Sequence, residues 1–282
     1  MPLIQDAAAE DIARLVSLFP VANIREAWPQ LDGKKEELCA AIGAVADGRP
    51  QVQAFVGTHL GCCRQRVYVF TRPAGAVAPF PATLGDAERV AQTAGVSAWY
   101  VVRVTLSAIL AEPFERRELQ FLWPFKLELR AHHLVVRITL LEKNLSSYFD
   151  RAYYGVTQDV DDETLCSDVL QAYQFGLTDL HQGVKAAWAA DAIDATRVKY
   201  KKPHSTASEA MDEERGIKAH NAALYAALAN ATLFQTTFKV LGDSSVSVFV
   251  ATPAEGLLVF PRQSETVGDS DALIHTILQQ NQ

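Results

Sequence analysis

The chain has 282 residues, 49% of them hydrophobic and 21% charged, which is typical of a globular protein and excludes a disordered or fibrous one. No apolar run approaches the about eighteen residues of a transmembrane helix, and the first residues lack the basic and apolar segments of a signal peptide, so we expect a cytoplasmic protein. Residues 1–150 carry sixteen basic and sixteen acidic side chains, and the ten basic and seventeen acidic side chains of the remainder supply the net charge of −7. An acidic chain does not attract nucleic acid through its overall field, so such binding requires a local basic patch.

The N-terminal residues 6–48 are predicted to be helical. Apolar residues three and four positions apart predict three helices. The first ends at Pro20, and a turn at Asp32-Gly33 separates the second from the third. We therefore expect a small helical module at residues 1–48 in front of a larger domain at residues 49–282.

From residue 50 onward the apolar period changes to two, which predicts strands. Val52, Ala54 and Val56 predict a first strand, and a turn at 57–61 joins it to a second around 67–70. Three prolines and two glycines predict a surface loop at 73–87. Further strands are predicted at 97–107, 118–130, 133–141, 234–241, 245–251 and 256–260.

Two local features refine the strand predictions. Pro124 cannot donate to a sheet ladder, so it predicts an edge position or a bulge. The strands at 118–130 and 133–141 meet at His132-His133, which predicts a hairpin with a very tight turn.

The second half of the chain is predicted to contain both helices and strands. Helices are expected within 144–192 and at 215–230 and 269–280, and the polar residues 196–214 are expected to form a long loop. A helical segment near 145–195 is where the larger domain would divide. The predicted fold class is α+β, with a small N-terminal helical module followed by a predominantly antiparallel sheet domain with flanking helices.

Residues 15–42 carry the clearest functional pattern in the chain. The segment combines an apolar residue pair, a Gly-Lys-Lys turn and two closing apolar residues, supplied by Ile24 and Trp28, by Gly33, Lys34 and Lys35, and by Leu38 and Ile42. This order resembles the helix-extension-helix pattern of SAP-type DNA-binding motifs. The resemblance implies DNA contact at the turn, where helix-start amides and lysines suit a phosphate. A helical hairpin that packs on the sheet with solvated lysines is the alternative.

The layout of the chain carries a second resemblance. A helical N-terminal module before an antiparallel sheet is similar to the layout of the centromere proteins N and L. That resemblance implies nucleic-acid or chromosome-associated binding rather than catalysis.

Basic residues decorate the predicted strands. Strand alternation turns several of them outward, so they would form a basic sheet face that follows a phosphate backbone. The alternative is a solvated face with cross-strand Arg–Glu pairs. The residues are Arg64, Arg66, Arg103, Arg116, Arg117, Lys126, Arg130 and Arg137.

The predicted loop contains a third basic group. Lys199, Lys201 and Lys202 surround Tyr200, a combination found in single-strand and phosphate binders. A solvated, disordered loop is the alternative.

The acidic run at 159–163 and the four cysteines lack metal-ligand spacing, so no metal or cofactor is expected. Asp161 and its neighbours precede a predicted helix and suit helix capping. The four cysteines are expected to be free thiols in a reducing compartment. Neither a nucleophile elbow nor a glycine-rich phosphate loop is present.

These observations predict a non-enzymatic nucleic-acid-binding protein that contacts the phosphate backbone through its N-terminal module and a basic sheet face, with double-stranded DNA as the expected partner. The first alternative is a protein–protein adaptor or oligomeric structural component, which would bind a protein partner through the acidic C-terminal half. An unrecognised nuclease or hydrolase is the third interpretation. No membrane partner is expected.

Overall fold

Four short helices open the fold. The computed structural model describes residues 3–45, 48–73, 79–110, 115–141, 153–202, 204–211 and 215–281. The helices are α1 Ala9–Ser17, α2 Val21–Ala27, α3 Lys35–Ala44 and α4 Arg49–His59. Ile12, Leu15 and Val16 follow helical spacing along α1, and all three are fully buried. The three helices predicted before residue 48 are confirmed.

Helix α4 replaces a predicted strand. Val52, Phe55 and Val56 are its buried apolar residues, at intervals of three and one that a helix brings onto one face. Val52 and Val56 are four residues apart, a spacing that fits both a helical and a strand period. For this reason the apolar pattern predicts a strand where a helix forms. Pro50 stands in the first turn, where a helix needs no backbone donor. The prediction of a strand at residues 52–56 is therefore wrong.

Strands dominate the middle of the chain. They are β1 Gln65–Thr71, β2 Thr83–Leu84, β3 Ala87–Thr93, β4 Ser97–Leu110, β5 Glu115–Leu129, β6 His133–Thr139 and β7 Tyr153–Gln158. The strands predicted at 97–107, 118–130 and 133–141 are confirmed, as is the tight hairpin between β5 and β6. Strand β2 lies inside the predicted surface loop, and β7 lies inside the predicted helical segment at 144–192. Residues 144–152 of that segment lie outside the described residues.

Helices and strands alternate in the second half. They are α5 Asp162–Tyr173, β8 Gly176–Leu177, α6 His181–Ala189, β9 Ile193–Lys202, β10 Ser205–Ala210, α7 Ile217–His220, α8 Ala222–Ala229, β11 Leu233–Val240, β12 Val248–Thr252, β13 Leu257–Phe260 and α9 Val267–Gln279. The late strands and the helices predicted at 215–230 and 269–280 are confirmed. None of the helices in the described ranges is long and apolar enough to cross a membrane.

The predicted loop at 196–214 is wrong, because its described residues form most of the β9–β10 hairpin. Val198 and Tyr200 are buried, while Arg197, Lys199 and Lys201 between and beside them are exposed. That alternation is a strand period in which the exposed positions 197, 199 and 201 are all cationic. Because most residues of the segment are polar, this strand period is hard to recognise in the sequence.

One antiparallel sheet organises the described strands. Its order is β10-β9-β11-β12-β13-β1-β6-β5-β4-β3-β2, with β7 paired to β4 and β8 paired to β1. The described residues form two hydrophobic cores, and strand β1 contributes to both: Phe70 belongs to the core that includes the N-terminal helices, and Val67 and Val69 belong to the core that includes α6 and α9. The predicted fold class, α+β with a predominantly antiparallel sheet and an N-terminal helical region, is confirmed.

The N-terminal helices pack directly on the sheet. Helix α1 contacts both α3 and β5, and Ile12 and Phe121 belong to the same buried cluster. Gly43 of α3 permits close helix packing, because a Cβ there would lie 2.2 Å from the Ala9 carbonyl oxygen of α1. The predicted division into residues 1–48 and 49–282 stays a prediction.

Pro124 is paired on one side only, as predicted for an edge position, and no bulge interrupts its pairing with β4. Strand β5 is paired with β4 through Pro124 without a break, and with β6 from Phe125 onward. The Pro124 carbonyl accepts a hydrogen bond from the Thr139 hydroxyl at 3.1 Å, where the β6 ladder has ended. The missing proline N–H therefore interrupts no ladder.

Candidate nucleic-acid interface

The turn before α3 holds the two lysines of the SAP-like pattern. Gly33 has φ +127°, a value that favours glycine. The Lys34 N–H donates a hydrogen bond to the Glu37 carboxylate at 2.9 Å, so an amide suited to a phosphate already has an anionic partner. The Lys35 side chain is partly buried; burial lowers the pKa of its ammonium, and the nearby charge of Arg64 lowers it further. Lys34 is thus the exposed lysine of the turn.

The apolar residues of the SAP-like pattern face the interior. Ile24, Trp28, Leu38 and Ile42 are all buried. The Trp28 ring meets the Phe55 ring of α4 edge-on, with 4.8 Å between centroids. The α2–α3 hairpin is therefore anchored on α4, and the SAP resemblance stays a prediction.

Most of the strand arginines lie against carboxylates. The Nη1 of Arg66 lies 2.6 Å from Asp162 at the start of α5. The other pairs are Arg103 with Asp11 at 3.2 Å, Arg116 with Glu118 at 3.0 Å, and Arg117 with Glu115 at 3.7 Å. Each carboxylate offsets one positive charge, so these positions present a mixed surface rather than a basic one.

Arg137 is buried, and the prediction that it faces outward is wrong. Every residue of β6 is buried, so strand alternation has no solvent face there. The guanidinium forms ion pairs with Glu128 and Asp271, and Nη1 donates to the Gln65 side-chain oxygen and the Ser270 hydroxyl, each at 3.3 Å. Arg137 thus links β5, β1 and α9.

Lys126 and Arg130 converge with Arg137 on Glu128. The Lys126 Nζ lies 2.9 Å and the Arg130 Nη2 3.4 Å from the Glu128 carboxylate. Burial of this carboxyl raises its pKa, but the three positive charges and the hydrogen bond from Lys126 outweigh burial and lower the pKa to about 2. Glu128 is therefore ionised at neutral pH and holds three cations together.

The β9–β10 hairpin carries cations of a different kind. Arg197, Lys199 and Lys201 share the exposed face of β9, and none has a carboxylate at ion-pair distance among the described residues. The Lys202 ammonium lies 5.6 Å from the centre of the Tyr200 ring, a cation–π contact. This face retains its positive charge.

The acidic run before α5 caps that helix, as predicted. The Asp161 carboxylate accepts hydrogen bonds from the Thr164 N–H and hydroxyl, each at 2.8 Å. These bonds lower the pKa of the Asp161 carboxyl. Within the described ranges, no three His, Cys, Asp or Glu side chains are arranged to hold a metal ion.

Helix α9 supplies partners that the sequence analysis missed. Ser270 bonds Arg137 from 133 residues further along the chain, and Asp271 pairs with both Arg137 and Arg130. No local pattern marks either residue, since a single polar or acidic residue in an amphipathic helix is unremarkable. Only the folded chain brings α9 to the β5–β6 hairpin.

No protein-family model matches this chain, and no curated protein matches it. The function therefore has to be inferred from the geometry of the chain itself.

Proposed function

We propose that the protein binds the phosphate backbone of a nucleic acid, with double-stranded DNA as the first candidate, through the β9–β10 hairpin. The observation that carries this proposal is the row of Arg197, Lys199 and Lys201, exposed on one strand face without carboxylate partners among the described residues. Free surface cations hold exchangeable counterions, and phosphate binding releases them. Lys34 is a secondary contact at the turn before α3.

Hydroxyl groups stand beside these cations. Thr206 is paired in register with Lys201, and Ser208 with Lys199, across the β9–β10 ladder. Directly opposite residues project from the same face of a sheet, so each lysine has a hydroxyl neighbour. Lysine, serine and threonine side chains all donate hydrogen bonds to phosphate oxygens in protein–DNA contacts.

The ion-paired arginines are weaker candidates for phosphate contact. Arg66 is 2.6 Å from Asp162, and binding a phosphate there requires breaking or sharing that pair. The paired carboxylate also repels the incoming anion. Shape rather than base identity would set any preference of the hairpin, because the candidate contacts are to the backbone.

The test compares two charge-matched double variants in fluorescence-anisotropy titrations with labelled duplex and single-stranded DNA from about 50 to 300 mM salt. Lys199→Glu/Lys201→Glu alters the hairpin, and Arg116→Glu/Arg117→Glu makes the same change in net charge at two exposed positions elsewhere. For the parent we expect salt-sensitive duplex binding with a dissociation constant of about 10⁻⁵ M near physiological salt. The hairpin variant is expected to lower the log–log salt slope by about 2.

Two results would overturn this proposal. One is the absence of parent binding to either DNA at the lowest salt. The other is an equal loss in both double variants, because this would attribute the effect to net charge rather than to the hairpin.

A protein adaptor is the second candidate, and one observation favours it. Strand β10 ends the order of the described sheet, so it has no strand neighbour on its outer side within the described residues. An extended segment of a partner can add to such an edge through backbone hydrogen bonds. Steep salt dependence favours nucleic acid, whereas partner binding that persists at high salt favours the adaptor.

A further inference from the structure

Two adjoining cavities form a cleft at the end of the β5–β6 hairpin. The first, of about 500 Å³, lies between the hairpin turn and α9. The second, of about 510 Å³, lies between α4, β3 and β4. Ser97 and Lys126 line both cavities, so the cleft runs past these two residues.

The first cavity lies over a cluster of charged side chains. Its lining contains Lys126 and Arg130 together with the carboxylates Glu128 and Asp271, and the buried Arg137 behind the lining pairs with both carboxylates, so the cluster as a whole has one cation more than it has anions. Arg130 has the longest pairs, with its Nη2 3.4 Å from Glu128 and 3.7 Å from Asp271. Its guanidinium therefore retains donor capacity for another anion.

Three histidines extend the polar lining without adding a further acidic group. His132 and His133 lie at the hairpin turn, and His275 lies on α9, where its Nε2 is 2.8 Å from the Gln279 side-chain nitrogen. Burial lowers the pKa of His133, and the charges of His132 and Arg130 lower it further. A neutral imidazole at this position can still donate or accept a hydrogen bond.

The second cavity has a different chemistry. Apart from Lys126, the residues that line it are uncharged, with Trp99 among the aromatic and apolar groups and Gln53 and Gln92 among the polar ones. A Cβ at Gly57 would lie 2.8 Å from the Trp99 Nε1, so the glycine allows α4 to approach the indole closely. The cleft thus joins a charged end to an uncharged end, where the largely buried Trp99 indole forms part of the wall.

We propose that this cleft binds a small organic anion, with its oxyanion group at Arg130 and Lys126 and its uncharged part along Trp99. The guanidinium fork and the lysine ammonium suit a carboxylate or phosphate group. A few convergent polar groups beside a less polar wall are the usual composition of a small-molecule site. The cleft is separate from the β9–β10 hairpin, so this inference does not depend on nucleic-acid binding.

Phenyl phosphate, inorganic phosphate and phenol are the probes for this site. Phenyl phosphate has both an anionic and an aromatic part, inorganic phosphate has the anionic part alone, and phenol has the aromatic part alone. In calorimetric titrations of the full chain, we expect phenyl phosphate to bind more tightly than either simpler probe. In nitrogen–proton spectra, the indole resonance assigned through Trp99→Phe should shift with phenyl phosphate and much less with inorganic phosphate.

Variants separate the two ends of the cleft. Arg130→Gln is expected to weaken phenyl phosphate binding by about tenfold or more, since a hydrogen bond to a charged group is involved. Arg116→Gln removes another carboxylate-paired arginine outside the cleft and is expected to leave binding unchanged. Trp99→Phe should weaken phenyl phosphate but not inorganic phosphate. Lys199→Glu/Lys201→Glu should leave all three probes unaffected.

The proposal is overturned if phenyl phosphate fails to bind the parent chain, or if it binds without shifting the Trp99 resonance. Equal loss in Arg130→Gln and Arg116→Gln also overturns it, because general electrostatics would then explain the affinity. Thermal unfolding of each variant shows whether it is folded. The parent-chain spectra keep the test decisive if Arg130→Gln does not fold.

Discussion

The Nε of Arg137 lies 3.2 Å from the Glu128 carboxylate, and both side chains are shielded from water, with 2% and 11% of their surfaces exposed. The contact is an ion pair rather than a hydrogen bond, because this Nε makes no hydrogen bond of acceptable geometry with the described residues. Lys126 and Arg130 approach the same carboxylate from the solvent side. Glu128 is therefore the shared anionic partner of Lys126, Arg130 and Arg137.

Glu128→Gln is expected to lower the free energy of unfolding by about 3 kcal/mol, because it leaves a buried guanidinium with one anionic partner fewer. The loss stays near the lower end of the range for buried pairs, since Asp271 still contacts Arg137. Urea denaturation measures it. The control is Glu118→Gln at an exposed pair with Arg116, where about 0.5 kcal/mol or less is expected. Equal losses of unfolding free energy in Glu128→Gln and Glu118→Gln would show that the buried ion pair stabilises the fold no more than the exposed one.

Acid should destabilise the parent more than Glu128→Gln. The folded-state pKa of Glu128 is about 2 and its ordinary value is 4.5, so its stabilisation is complete above about pH 4.5 and is lost as the pH falls toward 2. When the pH falls from 6 to 3, protonation of this group should lower the free energy of unfolding of the parent by about 2 kcal/mol. Urea denaturation of both proteins at the two pH values gives the difference. Identical acid sensitivity would contradict the lowered pKa.

Gly43→Ala should destabilise the contact between α1 and α3. The new Cβ would lie 2.2 Å from the Ala9 carbonyl oxygen, and a backbone atom cannot move aside without shifting its helix. A loss of about 1–3 kcal/mol is expected in thermal or urea unfolding. Gly268→Ala, in α9, is the matched control: nothing lies within 4 Å of its Cβ, so it should be neutral or stabilise by up to about 1 kcal/mol.

The four thiols should react slowly with a thiol-specific disulfide reagent at pH 8. Burial raises the pKa of Cys39 and Cys62 to about 11 and of Cys166 to about 12, and it raises the pKa of Cys63 as well. The thiolate is the reactive form, and these raised pKa values keep each folded thiol protonated; Cys39, Cys62 and Cys63 are also buried. Unfolding in guanidinium should release four reactive thiols. A rapid reaction of the folded chain would contradict these pKa directions.

Long elements with strong periodicity were predictable from the sequence. The strands at 97–107 and 133–141 and the closing helix at 269–280 were found because their apolar residues repeat with one clear period. The capping role of Asp161 was also predictable, because a cap is made within a few residues of the chain. Such features depend on neighbours in sequence.

The candidate sites were less predictable. The sequence shows the cations of β9 as a basic stretch but predicts a loop there, because the buried residues of the strand, Val198 and Tyr200, stand among polar residues. The pairing of Arg66 with Asp162 joins residues 96 positions apart, and composition contains no information about that contact. The tertiary contacts of the folded chain therefore decide which cations remain available to a ligand.

By itself the sequence determined the fold class, the N-terminal helices and the positions of the basic residues along the chain, because these follow from local periodicity and composition. Only the tertiary structure decided that Arg137 is buried, that α9 brings Asp271 to the β5–β6 hairpin, and that Lys199 faces solvent from a strand. The physical reason is that burial and ion pairing depend on which distant segments meet, and the charge available to a ligand is what remains after those contacts form.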